Sequence, residues 1–105
     1  KMEFSSINPY NGALVATFQE DTQQQIADKL QKAAGSFAAW RNTTFAERAA
    51  IMMNAANLLL KNADEYANTI TLEMGKPIEE SRGEINKCAW VFDYYAESGE
   101  SFLAI

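Results

Sequence analysis

The chain has 105 residues, 48% of them apolar and 22% charged, which is typical of a soluble globular chain of at most one domain. Its net charge of −5 argues against a nucleic-acid partner, because an acidic surface repels phosphate backbones. One cysteine and no histidine exclude an internal disulfide and a multi-cysteine zinc site, and the absence of a long apolar run or a signal sequence predicts a cytoplasmic protein without membrane contact.

Residues 3–18 are predicted to form a β-hairpin. Over residues 14–18, Leu14, Ala16 and Phe18 alternate with Val15 and Thr17, which is the period of a half-buried strand. Pro9 presets φ for a turn, and Asn11-Gly12 tolerates the positive φ that closes a hairpin. Because a lone two-stranded hairpin is marginal in water, we expect it to pack against another part of the protein.

Residues 21–103 are predicted to form helices, the first two of which begin with capping boxes. Thr22 is three residues before Gln25, and Thr44 is three residues before Glu47, which is the spacing of reciprocal caps. Each start is followed by an apolar face of helical period. The residues expected on these faces are Ile26, Leu30, Ala33, Phe37 and Trp40 in the first helix, and Ile51, Ala55, Leu58 and Leu59 in the second.

The third helix is predicted to begin near Asn62, with Glu65 as its reciprocal cap, and to end at Gly75 in the left-handed conformation. Pro77 then suits the first position of a fourth helix that runs to about Leu103. The apolar faces are expected to carry Tyr66, Ile70 and Met74, and then Ile78, Ser81, Ile85, Cys88, Phe92, Tyr95, Gly99 and Phe102. The predicted fold class is mainly α with an N-terminal β-hairpin.

Cys88 is the obvious candidate nucleophile, but its position favours a structural role. A reactive thiolate needs a helix N-terminus or an adjacent base, together with partial exposure. Cys88 lies in the middle of the predicted fourth helix on its apolar face, and the neighbouring Lys87 points about 100° away. A buried core cysteine is therefore preferred to a functional thiol.

Other candidate groups also favour structural explanations. The glutamate pairs suit a solvated helix face, because nothing in the sequence predicts burial that raises a carboxyl pKa. Gly75-Lys76 suits a helix end, because a phosphate cradle needs amides at a helix start after a glycine-rich loop. The aromatic residues suit packing rather than base stacking, because basic residues are not interleaved with them. These groups are Glu79 with Glu80, Glu97 with Glu100, and the aromatics Trp40, Trp90, Tyr94 and Tyr95. No catalytic, cofactor-binding or metal-binding residue is assigned.

Three stretches resemble the aldehyde dehydrogenase superfamily. Residues 7–17 are similar to its opening hairpin, with an Asn-Pro-x-x-Gly-type turn. Residues 37–48 are similar to its aromatic–Trp helix end and the arginine that opens the next helix. The most specific stretch is Glu-Met-Gly-Lys-Pro at residues 73–77. Lys-Cys-Ala-Trp before Tyr-Tyr-Ala, over residues 87–96, is most like the succinate-semialdehyde dehydrogenase branch.

The resemblance implies that residues 1–105 are the N-terminal segment of an α/β enzyme that oxidises an aldehyde to a carboxylic acid with NAD or NADP. It implies that the remainder of the Rossmann-like domain, the catalytic domain and the oligomerisation domain are missing, and that the complete enzyme is a homo-oligomer. The family's nucleophile, general base, oxyanion donor and cofactor-binding lysine all lie beyond the matched segment. The chain alone is therefore expected to be inactive and to bind no NAD(P).

Two hypotheses remain open on the sequence. The chain is either a fragment of such an enzyme or a stand-alone helical interaction or oligomerisation module, which includes a degenerate remnant without catalysis. Lys1 ahead of Met2 suggests the residue of an expression tag, and the apolar end at residues 101–105 favours truncation. The gene sequence that follows Ile105 discriminates between the two hypotheses.

Overall fold

A computed structural model describes residues 2–105, and Lys1, interpreted above as a tag residue, lies outside the described residues. The chain order is β1 (Glu3–Ile7), β2 (Leu14–Gln19), α1 (Gln23–Trp40), α2 (Phe45–Lys61), α3 (Ala63–Met74) and α4 (Ile78–Leu103). The predicted hairpin and four helices are confirmed. None of the helices in residues 2–105 is both long enough and apolar enough to cross a membrane.

The hairpin pairs β1 and β2 in antiparallel register, from Glu3 opposite Gln19 to Ile7 opposite Leu14. Its turn is closed by the Gly12 amide, which donates to the Asn8 carbonyl at 2.8 Å. Gly12 adopts φ 73°, the left-handed conformation that the Asn-Gly pair was predicted to supply. The expected strand boundary at residue 18 moves by one residue, because the pairing extends to Gln19.

Both predicted capping boxes are present. In α1 the Gln25 amide donates to Thr22 Oγ1 at 3.1 Å, and the Thr22 amide donates to Gln25 Oε1 at 2.7 Å. In α2 the Glu47 amide donates to Thr44 Oγ1 at 3.1 Å, and the Thr44 amide donates to Glu47 Oε2 at 2.7 Å. Each box satisfies amide donors that a helix start otherwise leaves without a partner.

The predicted cap of α3 by Asn62 and Glu65 is wrong. Asn62 is the single residue between α2 and α3, and its side chain donates backwards to the Leu58 carbonyl at 3.1 Å. It therefore closes the end of α2 and makes no side-chain bond at the start of α3. The predicted end of α3 is confirmed, since Gly75 adopts φ 72°. Pro77 precedes α4 rather than opening it, because its ψ of 140° is extended.

The core lies where α2 and α3 pack against α4. The buried residues are Ala56, Ala67, Ser81, Ile85 and Ala89. Apart from Ile85, their side chains are small and allow the helix axes to approach closely, which favours tight packing over a small area. The one buried polar residue among them, Ser81, has a partner, because its hydroxyl lies 2.9 Å from Thr71 Oγ1.

Several residues predicted on buried faces are exposed. Ile51 and Leu58 of α2 are 53% and 54% exposed, whereas Ala56 between them is fully buried. Cys88 is also exposed, so the prediction of a core cysteine is wrong for this chain. The buried neighbour is Ala89, about 100° further around the helix. The cause is that α2 and α4 carry apolar residues on two sides, and the small residues form the contact.

The helix α1 buries none of its residues, although its sequence has a regular apolar face. The whole chain has a radius of gyration of 18.1 Å, against about 13 Å for a compact chain of this length. Its accessible surface is 8252 Å², against about 5,900 Å² for a compact protein of 11.7 kDa. The fold is therefore open, with α2–α4 as the packed part.

Candidate functional site

The candidate groups for chemistry are the acidic side chains and Cys88. Within residues 2–105 there is no group of three Cys, Asp or Glu side chains placed to hold a metal ion. Cys88 lines a shallow groove of about 410 Å³ between α3 and α4, together with Ile70, Phe92 and Lys87. Cys88 lies in the middle of α4, far from the start of the helix, where the helix dipole would stabilise a thiolate. The groove is apolar and open to solvent.

Gly75-Lys76 is a helix end, as predicted, and its charge is already paired. The Lys76 ammonium donates a hydrogen bond to the Glu84 carboxylate. This bond holds the pKa of Lys76 above its ordinary value. The left-handed Gly75 makes room for the hairpin, because a Cβ on it would lie 2.9 Å from Pro9 Cγ. The segment therefore ties the hairpin to α3, and nothing here assembles a phosphate cradle.

The other ion pairs are also on the surface. Arg82 Nε lies 3.0 Å from Asp64 Oδ1, and its guanidinium also contacts Glu79. Asp64 and then Glu79 raise the pKa of Arg82. Glu79 and Glu80 are exposed, in agreement with the solvated face predicted for them. Such exposed pairs contribute little to stability, so they do not define a site.

The α1 face is the most prominent surface feature of the chain. We use this name for Ile26, Leu30, Ala33, Phe37 and Trp40, the residues predicted to be buried together. All are exposed, Leu30 to 67% and Phe37 to 60%. An open groove of about 570 Å³ lies along its C-terminal half. A continuous exposed apolar face of this kind marks a place where another surface binds.

A second apolar surface lies on α4 and consists of aromatic rings. The rings of Trp90 and Tyr94 are stacked, with centroids 5.4 Å apart, and Tyr95 meets Tyr94 edge-on at 5.2 Å. Phe102 lies 6.0 Å from Tyr94 and extends the cluster towards the end of the helix. Trp90 is 61% exposed, so the outer side of this aromatic cluster is open. Rings that contact one another in this way suit packing.

The whole chain exposes more surface than a compact protein of its size. The accessible surface exceeds that of a compact chain by about 2,400 Å². A standard protein–protein interface removes about 800 Å² from each partner. The chain therefore exposes enough surface for an interface with another protein.

Known proteins share the sequence and the fold of this chain. The family model for the aldehyde dehydrogenase family matches residues 1–104. A succinate-semialdehyde dehydrogenase (NADP(+)) of Deinococcus radiodurans is 42% identical over 100 residues, which are 95% of this chain and 21% of that protein. A relative with the same name from Mycobacterium leprae is 41% identical over 103 residues, which are 98% of this chain and 22% of that protein.

Solved structures give the same result for the fold. The crystal structure of succinic semialdehyde dehydrogenase from Streptococcus pyogenes, in complex with NADP+, superposes with a TM-score of 0.89 at 37% identity, over 95% of this chain and 22% of that one. The NAD-dependent aldehyde dehydrogenase from Sinorhizobium meliloti superposes with a TM-score of 0.87 at 31% identity, over 95% of this chain and 20% of that one.

The chain spans about a fifth of the length of the relatives that it matches. The hairpin and all four helices take part in the match, since it extends over nearly all residues. With the family model, the relatives and the solved structures in agreement, the chain belongs to the aldehyde dehydrogenase family.

Proposed function

We propose that this chain is the N-terminal segment of an NAD(P)-dependent aldehyde dehydrogenase that oxidises succinate semialdehyde to the corresponding dicarboxylic acid. The observation that carries the proposal is the 42% identity to a succinate-semialdehyde dehydrogenase over 95% of the chain. The substrate and the cofactor are taken from the names of such relatives. The choice between NAD and NADP stays open, because solved relatives of both kinds superpose on the chain.

Within that enzyme, we propose that residues 1–105 form a supporting segment and supply no catalytic or cofactor-binding residue. A dinucleotide fits a glycine-rich turn that leads from a parallel strand into a helix. The strands described here form only an antiparallel hairpin, and Thr22 caps the start of the helix that follows it. The described residues therefore do not fit the cofactor, and the remaining domains are proposed to hold it.

The α1 face and the aromatic cluster are proposed to be covered by the remainder of the enzyme. Burial of apolar surface stabilises the assembled protein by about 25 cal/mol per Å² removed from water. Leu30, Phe37 and Trp90, each exposed here by more than half, are the side chains that contribute most to such burial. A homo-oligomer in the cytoplasm is proposed for the complete enzyme.

The experiment begins with the gene sequence beyond Ile105. We expect the reading frame to continue into a glycine-rich strand–helix segment and then a cysteine motif. The complete product is expected to reduce NAD+ or NADP+ in the presence of succinate semialdehyde, followed by the absorbance of the reduced nicotinamide. A stop codon directly after Ile105 would overturn the proposal.

The substrate is tested separately with butanal, which has the same carbon chain but lacks the carboxylate. A kcat/KM at least about tenfold higher for succinate semialdehyde is expected, because recognition of a charged carboxylate is worth more than about 1.4 kcal/mol. Equal kcat/KM values for both aldehydes would contradict the proposed substrate and leave the family membership intact.

A stand-alone interaction module is the second candidate, and the exposed α1 face is the observation that favours it. This function requires the stop codon after Ile105 and a defined oligomer of the chain in sedimentation equilibrium. In neither case is the isolated chain expected to bind NADP+, and calorimetric titration that shows tight binding would contradict both candidates.

A further inference from the structure

The junction between α1 and α2 contains one side chain that contacts both helices. Arg48 lies in the first turn of α2 and is half-buried. We infer that Arg48 is a positioning residue that fixes the direction of α1, so that the α1 face is held open in one orientation before anything covers it.

The first observation is the set of hydrogen bonds that Arg48 donates. Its Nε donates to Thr43 Oγ1 at 2.8 Å, and its Nη2 donates to the Trp40 carbonyl at 3.2 Å. A longer contact of 3.4 Å joins Nη2 to the Arg41 carbonyl. The guanidinium thus bonds to the last residue of α1 and to two residues of the turn that connects the two helices.

The second observation is that the same guanidinium lies against aromatic rings on both sides of the junction. Its central carbon is 5.6 Å from the centroid of the Trp40 ring, which belongs to α1. It is 5.7 Å from the centroid of the Phe45 ring, which belongs to α2. A planar guanidinium stacks on rings with its faces and donates hydrogen bonds from its edges. It therefore fixes both the distance and the angle between α1 and α2, which an ammonium group cannot do.

The third observation is that Arg48 adds a donor and a positive charge at the end of α1. The helix has no basic residue in its last turn and no left-handed glycine after it. Its final carbonyl, that of Trp40, accepts from the Thr43 amide at 3.0 Å and the Thr43 hydroxyl at 2.7 Å as well as from Arg48. Arg48 therefore adds a second positive charge, beside that of Arg41, at the negative end of the helix dipole.

The consequence follows from the lack of other packing on α1. Because α1 buries no residue, its direction is not set by a core contact. Arg48 also lines a groove of about 230 Å³ between α2 and α4, beside Met52 and Leu103, so the junction is joined to the packed part of the chain. A surface held in its bound orientation costs less entropy when a partner covers it. This positioning does not depend on which partner that is.

The experiment measures a distance across the junction in the 105-residue chain. One spin label is attached to the exposed native Cys88 on α4, and the other to a cysteine introduced by Lys32→Cys on α1. Pulsed electron paramagnetic resonance is expected to give one narrow peak in the distribution of label-to-label distances when Arg48 is present. Arg48→Gln is expected to replace that peak with a broad distribution at unchanged helix content by circular dichroism, and Arg48→Lys is not expected to restore it.

Arg41→Gln is the matched control. Arg41 carries the same charge at the same helix end, with its guanidinium carbon 5.7 Å from the Phe37 ring centroid, and its side chain donates no hydrogen bond recorded among residues 2–105. This control is expected to keep the narrow peak. A narrow peak in Arg48→Gln, an equal broadening in Arg41→Gln, or a broad distribution in the unsubstituted junction would each overturn the inference.

If Arg48→Gln loses helix content, the same distance distribution is measured in Thr43→Val instead. This variant retains Arg48 and removes the hydroxyl that accepts from Nε at 2.8 Å and donates to the Trp40 carbonyl at 2.7 Å. Broadening supports the inference that the hydrogen bonds among Arg48, Thr43 and Trp40 set the direction of α1, and an unchanged peak refutes it. Since no measurement here involves turnover, the result is independent of the enzyme assay that tests the proposed function.

Discussion

The helices α1 and α4 have similar amphipathic sequences, but only α4 is packed against other helices in the structure. Both repeat apolar residues every three to four positions. The longer helix buries Ser81, Ile85 and Ala89 against α2 and α3, whereas α1 buries nothing. An apolar face therefore indicates that a helix packs against another surface. It does not show whether that surface belongs to the same 105 residues.

The size of the buried side chains sharpens this contrast. The chain buries alanines such as Ala56 and Ala67, while Leu30, Phe37 and Trp90 remain exposed. An independent domain does the reverse, because large apolar side chains gain the most from burial. The packed part thus uses small residues together with Ile85 for close helix contact, and most of the large apolar residues remain exposed.

The largest difference between the two regions is expected from matched truncations to alanine. Ile85→Ala in α4 removes the largest buried side chain and is expected to lower the free energy of unfolding by about 2–4 kcal/mol, through lost burial and the cavity left behind. Leu30→Ala in α1 is expected to change it by less than about 0.5 kcal/mol, because Leu30 is already exposed. Urea denaturation followed by circular dichroism measures both.

Equal losses for the two variants would show that α1 is packed in solution and would break the comparison. In the complete enzyme proposed above, the effect of Leu30→Ala on the free energy of unfolding is expected to be larger. Leu30→Ala is expected to become destabilising there by about 2 kcal/mol or more, since its side chain would then be covered.

The next largest effect is expected at the contact between the hairpin and the end of α3. Gly75→Ala places a Cβ at positive φ and 2.9 Å from Pro9 Cγ, so a loss of about 1–3 kcal/mol is expected. Gly83→Ala is the control, because it lies inside α4 with no atom within 4 Å of the added Cβ. It is expected to stabilise the chain by about 0.5–1 kcal/mol. Thermal unfolding distinguishes the two, and a neutral Gly75→Ala would show that the hairpin moves away freely.

A smaller effect is expected from the two capping threonines. Thr44→Ala removes a cap on the packed helix α2 and is expected to lower global stability by about 1 kcal/mol. Thr22→Ala removes the same kind of cap from α1, where fraying is not coupled to the core. Amide hydrogen exchange is expected to show local loss of protection in the first turn of α1 only. Global loss in Thr22→Ala would contradict the independence of α1.

The sequence predicted the features that depend on local backbone chemistry. The capping boxes at Thr22 and Thr44 and the left-handed Gly75 follow from single residues and their spacing, and the structure confirms them. The predictions that are wrong concern side chains or helix faces for which more than one packing or hydrogen-bond partner is available. Asn62 has an alternative acceptor in α2, one turn back, and the buried position near Cys88 is taken by Ala89. When a helix has apolar residues on two faces, its sequence does not reveal which face packs against the neighbouring helices of the same chain.

The smallest predicted effect distinguishes the two capping boxes by pH. The α1 box uses the neutral Gln25, whereas the α2 box uses Glu47, whose pKa lies below its ordinary value of 4.5 because its carboxylate accepts from the Thr44 amide. A carboxyl pKa lowered by folding contributes stability above the unfolded value, and that contribution is lost as the pH falls through the folded value. Acidification is therefore expected to release the Thr44 amide and to leave the Thr22 amide bonded. NMR titration of the two amide signals measures this, with a midpoint below 4.5 for Thr44. The same shift of the Thr44 signal in Glu47→Gln, which keeps the acceptor but cannot titrate, would assign the change to another carboxylate.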